Sequence, residues 1–318
     1  MYNQSAVSIK SSASLLYNNL DVLSSASGLQ YAVVHKSNVW VFDAEEIQTN
    51  QAAYRRVVCK GEGTQTSSTI MQAKWCVLPQ RTLLVVGSVK GAQMFDENGS
   101  MMIFWQALQP HPKEGKPQFV RGITAAGDNR ICIGTADGSI YVFDIPSKGN
   151  GVKLHDTINA HTCALTDLHA LDDCMVSADD MGKIILWKVG GAVTKTLEIE
   201  GFGFPCTSVR LHENFIIAAY GSGHLRKFNC KTGTIIVEVA AHAKWINAMD
   251  LSQDGTLVVT ASEDTFLRLF DVETFELKFQ KAITDVQLTG VRFMDAIDNS
   301  FGVTGYDSSE ITIFKPAK

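Results

Sequence analysis

The 318-residue sequence contains no C-x-x-C pair and no apolar run of membrane-spanning length. Its amino terminus, "MYNQSAVSIKSSAS", lacks both the charged start and the continuous apolar stretch of a secretory signal. Neither phosphate-loop pattern occurs: G-x-x-x-x-G-K is absent, as is G-x-G-x-x-G. The strand-turn-helix nucleophile context G-x-S-x-G is missing too, and helical periodicity is not sustained. Nor is there a basic excess. A formal net charge of -5 argues against a main activity that tracks nucleic-acid phosphates. These absences leave a soluble, cytoplasmic, non-membrane protein as the expectation, with neither cofactor nor metal. Its seven cysteines are an odd number set mostly in apolar segments, as reduced buried thiols would be.

What is present is repetition. An apolar strand, a turn of Gly, Asp or Ser, and an alternating strand ending in an aromatic recur seven times. Examples are "YAVVHKSNVWVFD", "ICIGTADGSIYVFD" and "LVVTASEDTFLRLFD". The terminal aromatics are Phe42, Phe95, Phe143, Trp187, Phe228, Phe270 and Phe314, at intervals of 53, 48, 44, 41, 42 and 44 residues. A period of about 40 to 45 residues carrying several short strands is the pattern of a WD-repeat β-propeller with four strands to a blade. The fold class expected is therefore all-β: one seven-bladed domain over 1–318, with a loop insert at about 106–119. A second irregular segment, 44–69, must hold the outer strand of its blade and a long loop.

Closure follows from the count. Phe314 is followed only by "KPAK", which leaves no room for an outermost strand. Residues at about 5–17, in "SAVSIK" or "ASLLYNN", are expected to supply it by pairing around Ile311 to Phe314, joining both chain ends in one blade and removing open edges.

The polar stretch "AHTCALTDLHALDDCMVSADD" (160–180) takes its meaning from this repeat. It resembles the buried set of a WD-type blade, in which a leading-loop His, a strand Ser or Thr, a turn Asp and an aromatic satisfy one another. Here the resemblance assigns His161, Ser177, Asp179 or Asp180, and Trp187. In the sixth blade it assigns His242, Ser262, Asp264 and Phe270, and the third blade keeps Thr135 and Asp137 with Phe143. Unpaired, each buried polar group would cost about 1–3 kcal/mol, so architecture rather than catalysis accounts for them. His161, Cys163, His169 and Cys174 have no metal-ligand spacing, and strand alternation sends neighbours to opposite faces.

Further stretches resemble one branch of the WD-repeat family more closely: "WCVLP" (75–79), "GFGFPCTSVRL" (201–211), "AHAKWINAMDL" (241–251) and "DVQLTGVRFMDAIDNSFGVTGYDSSEI" (285–311). That branch consists of stand-alone seven-bladed propellers, so the resemblance implies no appended catalytic domain and carries over no catalytic residue.

In such rings the blade-leading loops and the turns between second and third strands share one face. The candidates there for binding a protein partner are Arg121, Phe202, Phe204, Lys244, Trp245, Glu263 and Tyr306. Trp245 leads them as an anchor; its alternative is packing over the blade entrance. Phe202 and Phe204 either plug the ring or form an apolar patch. Arg226 and Arg268 read as a solvated strand side. The function expected is a non-enzymatic interaction scaffold. The alternatives are a subunit of a stable ciliary, cytoskeletal or vesicle-associated assembly, or a propeller hydrolase. Oligomeric state is left open.

Overall fold

The seven terminal aromatics each occupy the third strand of a four-stranded antiparallel sheet. The computed structural model describes residues 2–25, 28–43, 54–59, 68–109, 115–294 and 298–317, and among them every regular element is a strand. These strands, β1 to β28 in chain order, make seven sheets arranged as the blades of a propeller.

The innermost strands of blades 1 to 7 are β2 (Leu20–Ser25), β6 (Ile70–Leu78), β10 (Val120–Ala126), β14 (Leu165–Leu171), β18 (Cys206–Leu211), β22 (Ile246–Leu251) and β26 (Leu288–Phe293). In blades 2 to 7 a bulge interrupts the pairing of the inner strand near its start, as between Ile246 and Ala248. The bulge bends the strand and sharpens its twist as it enters the ring.

No blade can bury both of its faces alone. Seven apolar clusters satisfy that need, one at each junction between neighbouring blades. All seven aromatics are buried, from Phe143 and Phe314 to Trp187.

The ring closes as the missing outer strand required. Strand β1 (Tyr2–Ser8) pairs antiparallel with β28 (Glu310–Pro316), Ser5 opposite Ile313 and Val7 opposite Ile311, and lies outermost in blade 7. It starts and ends earlier than the 5–17 expected, and "ASLLYNN" takes no part in it. The junction of blades 7 and 1 is sealed by Ile9, Ala13, Leu20, Tyr31, Phe42, Met294 and Ile311.

The two irregular segments are partly described. Arg55–Val58 forms the outer strand of blade 1, within the 44–69 stretch; residues 44–53 and 60–67 lie outside the described residues. The 106–119 insert begins one residue before the end of a strand, Met102–Ala107, and its residues 110–114 lie outside the described residues as well.

Candidate docking face

The fourth blade assembles its four polar and aromatic groups as expected. The His161 ring places Nδ1 2.7 Å from Asp179 Oδ2 and Nε2 2.7 Å from Ser177 Oγ, while Trp187 Nε1–H donates to the same Oγ at 2.9 Å. Asp179 is the carboxylate of the set; Asp180 is exposed in the turn beyond it. Burial alone would raise the Asp179 carboxyl, but hydrogen bonding and charge from His161, with the N–H groups of Lys183 and Met181, hold it below its ordinary value.

Ser, His and Asp at these distances also match a nucleophilic triad. Ser177, however, is 0% exposed, and its oxygen already takes the indole N–H. A substrate carbonyl has no route to it, so the set holds the leading loop against the blade instead. The four metal candidates do not converge either. His161 is spent in this set with Cys163 against the same Asp179, while His169 faces the central channel and Cys174 starts a strand beside Asp173. Among the described residues no group of three His, Cys, Asp or Glu has metal-holding geometry.

In the sixth blade the hydroxyl partner is corrected. His242 Nε2 lies 2.8 Å from Thr260 Oγ1, not on Ser262, whose Oγ accepts the Asp264 N–H at 3.1 Å. Phe270 has no indole donor, and Arg268 takes over its bracing role. Arg268 Nη1 lies 2.7 Å from His242 Nδ1 and 3.0 Å from Asp264 Oδ2. Arg268 is therefore half-buried and engaged rather than solvated. Arg226 is likewise engaged: it pairs with Glu238, and its guanidinium carbon lies 3.4 Å from the Phe202 ring centroid.

The loop-rich face separates the remaining candidates. Trp245 (39% exposed), Phe204 (47%) and Tyr306 (48%) are displayed, and Leu15 and Met181 join them as exposed apolar side chains. Lys244 is exposed beside Trp245, and Glu263 is half-buried with its N–H on Trp245 O. Phe202 is half-buried, edge-on to Tyr220 and beneath Arg226, so it packs. Arg121 is corrected: it is buried, with its guanidinium 4.0 Å from the Tyr17 ring centroid.

Carboxylates predominate on one side of this face. Around the apolar side chains of blades 4 to 7, Asp180, Glu200, Asp285 and Asp307 are exposed, with Lys244 among them; across the ring on blades 1 to 3 the exposed charges include Lys36, Lys90 and Lys116.

The segment from Ile9 to Asn19 runs from the outer edge of blade 7 to the inner strand of blade 1, crossing the channel mouth. Asn18 Nδ2 donates to Thr207 O and its backbone N–H to Asn247 O, while Asn19 Nδ2 donates to Thr289 Oγ1. With Tyr17 against Arg121, the segment touches blades 3, 5, 6 and 7 and covers the mouth.

Below it, sequence reasoning missed a charged channel. In blades 2 to 7 the residue four places after the first of the inner strand is Lys74, Thr124, His169, Arg210, Asp250 and Arg292; Asp21 stands at the matching register in blade 1. Arg210 pairs with Asp167 at 2.9 Å and Asp250 at 3.1 Å, and Arg292 pairs with Asp21 at 3.0 Å. The signal was available as a polar residue recurring at one offset inside otherwise apolar strands.

Comparison with known proteins accords with this architecture. A family model described as WDR54 matches residues 1–317. WD repeat-containing protein 54 of Mus musculus is 36% identical and that of Homo sapiens 37% identical, each alignment covering 97% of this chain and 97% of the relative. Among solved structures, the WD40 β-propeller domain of Doa1 superposes with a TM-score of 0.72 at 15% identity, covering 99% of this chain and 96% of that one. A chain of the Mitotic Checkpoint Complex gives a TM-score of 0.78 at 13% identity, covering 99% and 91%.

Proposed function

The chain belongs to the WDR54 family of WD-repeat propellers, and on that footing we propose that it is a non-enzymatic scaffold that docks protein partners on the loop-rich face of blades 4 to 7. The carrying observation is the grouping there of Trp245, Phe204, Tyr306, Leu15 and Met181, five large apolar side chains exposed on one face and bordered by carboxylates. Exposed apolar groups rimmed by polar ones mark interaction surfaces. Acidic borders favour a partner segment that sets Lys or Arg beside its own apolar side chains.

Rigidity is the mechanism. The leading loops of blades 4 and 6 are held at their bases by hydrogen-bonded sets and the blade 5 turn by Gly223 at positive φ, so the receptor loses little conformational freedom when a partner binds. Four buried cysteines and three half-buried ones, all free thiols, support a cytoplasmic setting.

Affinity purification with quantitative mass spectrometry tests the reading, comparing wild type with Trp245→Ala/Phe204→Ala/Tyr306→Ala. The expected result is loss of one set of partners from a variant that still folds; retention of every partner moves docking off this face. That second outcome would favour membership of a stable assembly through the rim, where Ile235, Ile236 and Leu277 are exposed on the outer strands of blades 5 and 6.

A further inference from the structure

The channel carries more donors than acceptors, and the surplus lies on one side. Each carboxylate oxygen of Asp21 and Asp250 is already engaged: Asp21 by Arg292 Nε and the Trp75 N–H, Asp250 by Arg210 Nε and the Phe293 N–H. Asp167 accepts from Arg210 Nη1 and from the N–H groups of Val209 and Leu168. The third cation, Lys74, is left over. Among the described residues no acceptor lies within hydrogen-bonding distance of its Nζ, although Asp21, Asp167, Arg210 and Arg292 all act on it through charge.

Two blades on, His169 repeats the pattern. Its Nδ1 accepts the Leu211 N–H at 3.0 Å, which fixes the ring hydrogen on Nε2, and no acceptor among the described residues meets that hydrogen. Thr124, neutral and buried, stands between the two on blade 3. Lys74, His169, Arg210 and Arg292 share one electrostatic neighbourhood, since the three cations are what act on the His169 ring. Burial first, and then these like charges, lower the Lys74 ammonium from its ordinary value and hold the imidazole neutral.

Lys74 and His169 are only half-buried, so the space they line is hollow rather than packed. Its docking-face mouth is covered by Tyr17 to Asn19.

We propose that the channel binds a small oxyanion of the phosphate class, held between Lys74 Nζ and His169 Nε2–H with Arg210 and Arg292 alongside. Donors borne on separate strands call for an ion with several acceptor atoms, and charge-assisted hydrogen bonds to an oxyanion would satisfy the Lys74 and His169 donors that no carboxylate of the channel meets.

The test is thermal unfolding of the full chain titrated with sodium phosphate, against sodium chloride at matched ionic strength, together with the ³¹P NMR linewidth of inorganic phosphate. A ligand that binds only the folded state raises Tm in a concentration-dependent way. The expected result is a rise of about 3 °C as the site fills, with broadening of the phosphate resonance. Both should be lost in Lys74→Met, which replaces the unpartnered ammonium by an apolar chain of similar length. Lys74→Gln repeats the measurement should the Met variant not fold. Equal shifts with chloride and phosphate, or a phosphate response that survives in the Lys74 variant, overturn the site.

Discussion

Trp245 lies flat against the backbone of Gly221 in the neighbouring blade, so closely that a Cβ placed on that glycine would stand 3.0 Å from indole Cε2. The anchor is therefore displayed on one side and seated on the other. Trp245→Ala is expected to spare the fold while weakening partner binding. Gly221→Ala should displace the indole outward, giving a red shift in its fluorescence with little change in Tm. An unshifted emission maximum would show that the ring does not rest there.

In the fourth blade, size and hydrogen bonding can be separated. Trp187→Ala empties a buried aromatic site and should cost about 3–5 kcal/mol in urea unfolding. Trp187→Phe keeps most of the packing but withdraws the N–H from Ser177 Oγ, so about 1 kcal/mol is expected. Equal losses for both would mean that the indole donor, not the ring's volume, dominates.

The sixth blade offers a paired test of register. Thr260→Val removes the oxygen that faces His242 Nε2 and the hydroxyl that donates to Arg268 O; about 1–3 kcal/mol should be lost. Ser262→Ala removes one acceptor for a turn N–H and should cost less. A reversed order in denaturant midpoints would return the role to Ser262.

Acid should destabilise the protein in two stages. Unfolded imidazoles take up protons near pH 6.5. His169, chiefly through burial and then its three cations, and His242, through burial and Arg268 against the opposing pull of Asp264, stay neutral to lower pH when folded. The unfolded chain then binds more protons, and stability falls as pH drops below about 6.5. Asp179 and Asp264 are held below their ordinary carboxyl values despite burial, by His161 and His242 respectively. Their contribution is complete above the unfolded value of about 3.9 and is lost as pH falls further. Urea midpoints that stay constant from pH 8 to pH 5 would contradict the histidine stage.

Removing residues 2–8 leaves the whole edge of β28 unpaired. A clear drop in Tm is expected, accompanied by self-association in sedimentation as the bare edge finds other strands. An unchanged melting curve would mean that the ring does not depend on its closing strand.

The blades were legible because an aromatic must cap each third strand, and the closing strand because Phe314 stands too near the end of the sequence. The Thr260 assignment was missed for a specific reason. Ser-x-Asp occurs in both blades, at Ser177 and at Ser262, but the strands align from the aromatic instead: Ser177 lies opposite Ile185, two before Trp187, as Thr260 lies opposite Arg268, two before Phe270. Arg121 looked displayed because it follows a leading loop; Tyr17, crossing from the far side of the ring, lies against it, with Phe119 on its own blade. The channel charges went unread because each inner strand holds so few that none stands out until all seven are superposed.

Tyr2 pairs with Pro316, so the first strand of the propeller to be made waits for its last. At about 5–20 residues per second, translation separates the two by roughly 15 to 60 s. Throughout that interval β1 has no partner and blade 7 has no outer edge. Completion of the ring thus awaits the synthesis of β28, and a ribosome stalled anywhere before it holds an open propeller whose two bare edges are both available to the wrong strand.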